Sequence, residues 1–503
     1  MANRDAQFPT GAMNPAGEDY ACEQDGLLAG DGDAATRWFG WGGANVSQTP
    51  MSPGIDPEGT TPHLVRAAYR KQFSKSLSWK EIVDEHFSQG SIRGSVFNLC
   101  SATLGAGALS LPFAVKGMGV ALGLLLTVLC GFTTVFSIHL LILARTATGL
   151  SSYEEISAHL FGSTAAGFVE FGIVSFCFGT GVAYCKTLMD FLEPLLEQME
   201  ITEWMDEKKA LAVVWVCMLL PLSMLKSMNA LRFSSLFGVM TIAYLVITIA
   251  VHATRSVLNG EDAGKPSPRE LEFWVQTDVA GIIQAFPIIM FAYTCQVNVF
   301  SIFDELERAS RQRMVKVTNR SVALCFLLYS LVGVFGFLEF RLHTCGNVLQ
   351  NFIADFKAGA VGVVLMYVAI ALTIVMSFPL IVYPCRCTLE AVALRYFPPS
   401  DFRHAMWTVL ISGGSMGIAM LVPNISVVFQ LVGGTSSALV CFVLPALFAI
   451  RLHIYSDAPF YRAAVYALAV GGVVSGALST ALTLMQLASP AHHPLSGSCK
   501  PLN

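Results

Sequence analysis

Eleven apolar stretches, each close to the roughly 20 residues a helix needs to cross a bilayer, constrain this chain more than any other feature. They fall near residues 92–115, 118–144, 166–192, 210–225, 233–254, 279–303, 321–340, 360–384, 404–421, 425–450 and 463–487. Lipid offers no partners to backbone N–H and C=O groups, so segments of this length must satisfy them internally as helices. The 503 residues are 54% hydrophobic and 13% charged, against about 25% charged in soluble domains. The expectation is an all-α membrane protein with eleven transmembrane helices. The fourth stretch is short and carries Pro221, and only Pro423-Asn424 separates the ninth from the tenth.

The chain divides into three regions. Residues 1–90 read as a cytosolic, largely disordered tail, because acidic, Gly and Pro residues there cannot bury enough apolar surface to fold. Near 78–88, Ser78-Trp79-Lys80-Glu81 resembles a capping box, and Trp79, Ile82, Val83 and Phe87 share one helical face. A juxtamembrane amphipathic helix on the inner surface fits that pattern. Residues 91–490 form the transmembrane domain, and 491–503 a short extracellular tail. No apolar core of a signal peptide stands in the first sixty residues. Thirteen cysteines are scattered without a CxxC pair, so no metal site is expected. With a net charge of −4, neither is a nucleic-acid partner.

Orientation follows from Lys and Arg. With the N-terminus in the cytosol, the inner segments hold the basic tail, Arg145, the cluster Arg308, Arg311, Arg313, Lys316 and Arg320, and Arg451. Counting all loops, inner cations exceed outer ones by about two to one. An odd number of spans then puts the C-terminus outside, with Cys345 and Cys499 on the oxidising side, where a disulfide can form.

Two of the spans are interrupted. The first contains Gly105-Ala106-Gly107 and Pro112; the sixth contains Pro287 and Ala292-Tyr293-Thr294. At membrane depth such breaks are tolerated where the freed backbone lines a cavity. Interruptions in corresponding places of two halves point to the binding site of a secondary transporter. With five spans per half, the halves enter with opposite orientation. The reading is a five-plus-five inverted-repeat transporter fold with broken helices one and six plus one extra helix.

Three motifs carry a resemblance. The run Ser95 to Pro112 in the first span, Phe291-Ala292-Tyr293-Thr294-Cys295-Gln296-Val297-Asn298 in the sixth, and Ser377-Phe378-Pro379 to Arg386 in the eighth resemble those of the amino acid/auxin permease family. The similarity spans about residues 90–487, and the overall look is nearest to the kinetoplastid parasite amino acid permeases. It implies eleven spans, the inverted-repeat fold, and amino acid uptake driven by H+ or Na+.

An amino acid brings a carboxylate and an ammonium. Amides at the N-terminal end of a half-helix suit the first, and C-terminal carbonyls suit the second. The expected substrate contacts are Thr103, Leu104, Gly105, Ala106, Gly107, Ala292, Tyr293 and Thr294. The plainer reading is that these small residues only let helices approach. For the coupling ion the candidates are Asn98, Ser101, Thr373 and Ser377. Thr373 and Ser377 share a helical face, which the resemblance turns toward the first helix. Against this, membrane Ser and Thr often bond their own helix. Sodium-coupled relatives often show Asn where Ser101 stands, which favours protons.

Lys186 inside the third stretch is a functional suspect as an intramembrane charge, but snorkelling or an i,i+4 pair with Asp190 is the simpler reading. The Asp304-Glu305 run reads as a solvated inner loop, with a gating pair to Arg93 as the other reading. No catalytic residue, metal ligand or cofactor is expected, and the chain does not read as an enzyme. The function expected is import of an amino acid across the plasma membrane. The alternative is an amino acid sensor that signals through its N-terminal tail.

Overall fold

The computed structural model of the protein describes residues 90–488, apart from 202–203, 226–231, 260–272, 277, 395–399 and 423. The expected tail up to residue 89, its helix near 78–88, the C-terminal tail over 491–503 and Cys499 lie outside the described residues. Among the described residues every regular element is helical.

The first span consists of α1 (Ile92–Thr103) and α2 (Leu111–Met118), joined through a 3-10 turn over Ala106–Ser110. Then come α3 (Val120–Thr148), the short α4 (Tyr153–Phe161), α5 (Ser163–Gln198), α6 (Glu207–Val214) and α7 (Arg232–Leu258). The sixth span consists of α8 (Val279–Ala292) and α9 (Val299–Glu305). It is followed by α10 (Arg311–Phe340), α11 (Val361–Leu394), α12 (Asp401–Ala419), α13 (Ile425–Val432), α14 (Leu444–Arg451) and α15 (Pro459–Ala488).

All eleven expected stretches are helical, but fewer meet the length and hydropathy of a span. Among the described residues eight helices are long and apolar enough to cross a membrane, or nine if the bent pair α1–α2 counts as one. The fourth stretch falls short because α6 passes into a π turn at Trp215–Leu219 and helical order stops at Ser223, just after Pro221. The ninth, α12, has 19 residues but opens on Asp401, Arg403 and His404, which hold its hydropathy down.

Helix ends follow local chemistry. Ser91 Oγ accepts the Gly94 N–H at 3.0 Å and Asp278 Oδ1 accepts the Ala280 N–H at 3.1 Å, each capping a helix start. The π turns at Gly433–Ser437 and Leu439–Val443 carry the tenth span from α13 into α14.

The two broken spans run antiparallel. At one end the Glu307 N–H donates to the Gly90 carbonyl at 2.9 Å, and at the other the Gln276 N–H donates to the Met118 carbonyl at 2.9 Å. The start of each broken span therefore lies beside the end of the other, as an inverted repeat requires of its first helices.

Pro287 corrects one expectation. It does not interrupt the sixth span, because α8 runs through it to Ala292. Proline has no N–H, so the Ile283 carbonyl one turn earlier loses its helical donor. Ser479 Oγ, on α15, reaches that carbonyl at 3.4 Å. A neighbouring helix thus supplies the missing partner, as membrane prolines require.

Candidate substrate and ion site

The first break begins where the Leu104 N–H closes the last turn of α1 on the Cys100 carbonyl at 2.6 Å. Gly105 then becomes extended (φ −105°, ψ −157°), and its N–H turns back to the Thr103 carbonyl at 2.9 Å. The axis bends by 50°. The next turn is closed by Ala108 N–H on the Gly105 carbonyl at 3.2 Å, so the amides of Ala106 and Gly107 stand at its N-terminal head.

The second break follows Ala292. Tyr293 and Thr294 donate back to Ile289 and Phe291 at 3.1 and 3.0 Å, and the chain restarts as a 3-10 turn at Gln296–Asn298. The buried Gln296 fixes that turn. Its Oε1 accepts the Cys295 N–H at 2.9 Å and the Cys441 thiol at 2.9 Å, while its Nε2 donates to Ser137 Oγ of α3 at 3.0 Å.

Glycine brings the breaks together. A Cβ at Gly107 would lie 3.0 Å from Ala292 Cα, so only a residue without one allows this approach. Tyr329 of α10 joins them chemically. Its hydroxyl lies 2.7 Å from the Thr103 carbonyl and 2.8 Å from the Ala292 carbonyl. These are the C-terminal, electronegative ends of two half-helices.

A small cavity opens beside the first break. Leu104, Gly105, Ala106 and Leu109 form one wall and Tyr184 of α5 another. Thr241 and Ile242 of α7, with Ile370, Thr373, Ile374 and Ser377 of α11, complete it. No charged side chain lines it among the described residues. Its volume is about 20 Å³, room for a water but not for an amino acid. The Tyr184 hydroxyl closes over Gly105, 2.8 Å from where a Cβ would be.

Of the expected site residues, Leu104, Gly105, Ala106, Thr373 and Ser377 share this cavity. Ser101 lies just behind it. A Cβ at Gly238 of α7 would be 3.3 Å from Ser101 Oγ and 3.5 Å from Thr373 Cγ2, so α1, α7 and α11 converge there. The Thr373 hydroxyl bonds the Ala369 carbonyl of its own helix at 2.8 Å, and Thr103 does the same to Leu99 at 2.7 Å.

Thr103 does not line the cavity, and five further expected residues sit elsewhere. Gly107 and Ala292 pack on each other. Tyr293 is buried with its ring edge-on to Tyr329 at 5.3 Å, and its hydroxyl has no hydrogen-bond partner among the described residues. Thr294 Oγ1 returns to the Met290 carbonyl at 2.8 Å. Asn98 is half-buried one turn before Ser101 and does not line the cavity. The breaks and the family motif suggested these positions, but which of them face the cavity is set by packing between helices.

Tyr184 and Tyr329 were missed. Each is a polar tip on an apolar helix, a signal too common to single them out.

Two charged groups singled out in the sequence have partners. Lys186 Nζ lies 3.2 Å from Asp190 Oδ1, as the i,i+4 spacing predicted, and Asn347 Nδ2 donates to Asp190 Oδ2 at 3.0 Å. Ser110 Oγ bonds the Gly346 carbonyl, so the loop after α10 is tied to both α5 and the broken span. Arg93 is exposed, and Arg145 at the end of α3 is the residue that pairs with Asp304. The Arg145 guanidinium also lies 5.0 Å from the Phe303 ring centre. Cys345 is disulfide-bonded.

Two antiparallel spans whose breaks meet, the first beside a cavity with no charged lining among the described residues, define a secondary transporter fold. A mutant manganese transporter of Eremococcus coleocola shares it, with a TM-score of 0.50 over 83% of this chain and 88% of that one, at 11% identity. Residues 88–489 match the model of the transmembrane amino acid transporter proteins, and the chain belongs to that family. Vacuolar amino acid transporter 5 of Schizosaccharomyces pombe is 27% identical over 72% of this chain and 84% of its own length. Amino acid transporter AVT6E of Arabidopsis thaliana is 30% identical over 73% of this chain and 77% of its own. Human solute carrier family 38 member 10 is 25% identical over 72% of this chain and 32% of its own.

Proposed function

We propose that the chain carries an amino acid across a membrane by alternating access, with the substrate held at the two breaks, beside the cavity that α11 lines. The two breaks that meet each other, the first beside an uncharged cavity, carry this reading. The carboxylate takes the amides of Ala106 and Gly107, at the head of the turn, where the dipole favours an anion. The ammonium takes the Thr103 and Ala292 carbonyls, the negative ends of α1 and α8. Entry requires Tyr184 to swing off Gly105, since the closed cavity has no room.

Coupling is to protons in this reading. Ser101 offers a hydroxyl where sodium-coupled relatives often carry an amide. The Thr373 hydroxyl is engaged with its own helix, which weakens it as a sodium ligand. The transport domain is residues 91–490. Import at the plasma membrane, with the N-terminus cytosolic and the C-terminus outside, follows the charge bias. A disulfide at Cys345 supports an oxidising compartment for that loop. The vacuolar name of the fission yeast relative favours a second location, the vacuolar membrane, with the same loop facing the lumen.

Uptake of all twenty radiolabelled amino acids, in cells lacking their own permeases, tests the reading. A fluorescent tag reports which membrane holds the protein. Accumulation that collapses with a protonophore and survives replacement of sodium by choline is expected. If none of the twenty is moved in either direction, the transport reading is wrong.

A further inference from the structure

Tyr329 carries one hydroxyl proton, and two carbonyl oxygens lie within reach of it, Thr103 at 2.7 Å and Ala292 at 2.8 Å. Those carbonyls end half-helices that arrive from opposite sides, so two negative dipole ends converge on one donor. Tyr329 is 1% exposed; the Thr103 carbonyl also accepts the Gly105 N–H at 2.9 Å, but without the hydroxyl the two buried carbonyls are one donor short, which is costly. In this same conformation the cavity volume of about 20 Å³ leaves no room for an amino acid.

We propose that Tyr329 is a positioning residue that stands in for the substrate's ammonium group. Its hydroxyl ties the Thr103 and Ala292 carbonyls together when the cavity closes without an amino acid, and so lets the unloaded protein reorient across the membrane. The inference rests on the amino acid reading above. A bound substrate brings three N–H donors to the same carbonyls, so the loaded protein does not need the hydroxyl. Net uptake requires unloaded reorientation in every cycle. Exchange of inside for outside amino acid does not. A hydroxyl that merely stabilised the fold would affect both alike.

Tyr329→Phe keeps the ring and removes the donor. The full chain, wild type and variant, is reconstituted in liposomes with a labelled mixture of the twenty amino acids outside. The lumen holds either no amino acid, with inward proton and sodium gradients, or the same mixture unlabelled. The variant should lose about tenfold or more of net uptake, the effect of one buried hydrogen bond on a barrier. Its exchange should stay within about twofold of wild type. Net uptake and exchange falling in equal proportion, or both persisting, overturns the proposal.

A second measurement is independent of flux. Added amino acid mixture should raise the thermal unfolding midpoint of the purified variant more than that of wild type, because the ammonium then replaces the hydroxyl donor that the variant lacks. Equal shifts overturn the proposal. The amino acid reading is judged on the wild-type liposomes alone, and it fails if they neither take up nor exchange label.

Discussion

A methyl group at Gly107 would sit 3.0 Å from Ala292 Cα and 3.2 Å from both Ala292 Cβ and Phe291 Cδ1. At Gly105 it would meet mainly the Tyr184 hydroxyl, at 2.8 Å. The first clash is with backbone that cannot yield, the second with the tip of a side chain that can rotate. Gly107→Ala should therefore destabilise the protein by about 1–3 kcal/mol, the usual cost of overpacking, and lower its melting temperature. Gly105→Ala should leave melting nearly unchanged and still cut uptake, since it fills the cavity. Adding Tyr184→Phe to Gly105→Ala should restore part of that uptake. Equal loss of stability in the two single variants would contradict this division of roles. At the same scale, Gly238→Ala presses on Ser101 Oγ and Thr373 Cγ2. It should alter how uptake depends on the coupling ion more than it alters the apparent amino acid affinity, read from uptake against substrate at two values of external pH.

Long helices here are held at their ends by buried polar groups. On α5, Asp190 is 4% exposed and depends on Lys186 and Asn347. Lys186→Met would leave a buried carboxylate short of its countercharge, a loss of about 3–5 kcal/mol for a broken buried pair. Adding Asp190→Asn removes the stranded charge, so the double variant should melt above the Lys186→Met single. If the two changes simply add, the pair is not the cause. On α11, the buried Arg386 donates to the Ser223 carbonyl at 2.8 Å, the Leu225 carbonyl at 3.2 Å and Thr408 Oγ1 at 3.0 Å. It thereby caps the short fourth helix. Arg386→Lys keeps the charge but not the planar fork, and should cost about 1–3 kcal/mol, visible as a lower unfolding midpoint and unchanged by salt.

Across the whole molecule the two broken spans are clamped at both ends, by Glu307 to Gly90 and by Gln276 to Met118. Moving one half against the other must therefore strain both clamps. The antiparallel relation and an odd number of spans predict termini on opposite sides. A tag at the N-terminus should be protected in intact cells, or face the cytosol if the protein sits in the vacuolar membrane, and a tag after Pro501 should lie on the other side. Protease protection reads this directly, and termini on one side would refute the odd count.

Helix identity, the first break and the inward charge bias are local properties of the chain. Apolar runs of span length can only be helical in lipid, and Gly105 and Gly107 weaken a helix wherever they stand. The pairing of Lys186 with Asp190 was equally legible, because i,i+4 spacing fixes it within one helix. Even so, Pro287 looked like a break and is not, since Ser479 from a distant helix rescues its orphaned carbonyl. Which break residues meet the cavity and which meet each other, why Tyr184 covers Gly105, and how Tyr329 comes to lie between Thr103, 226 positions away, and Ala292, 37 away, depend on distances between helices. Sequence spacing fixes directions within a helix but not between helices, so only the tertiary packing decided them.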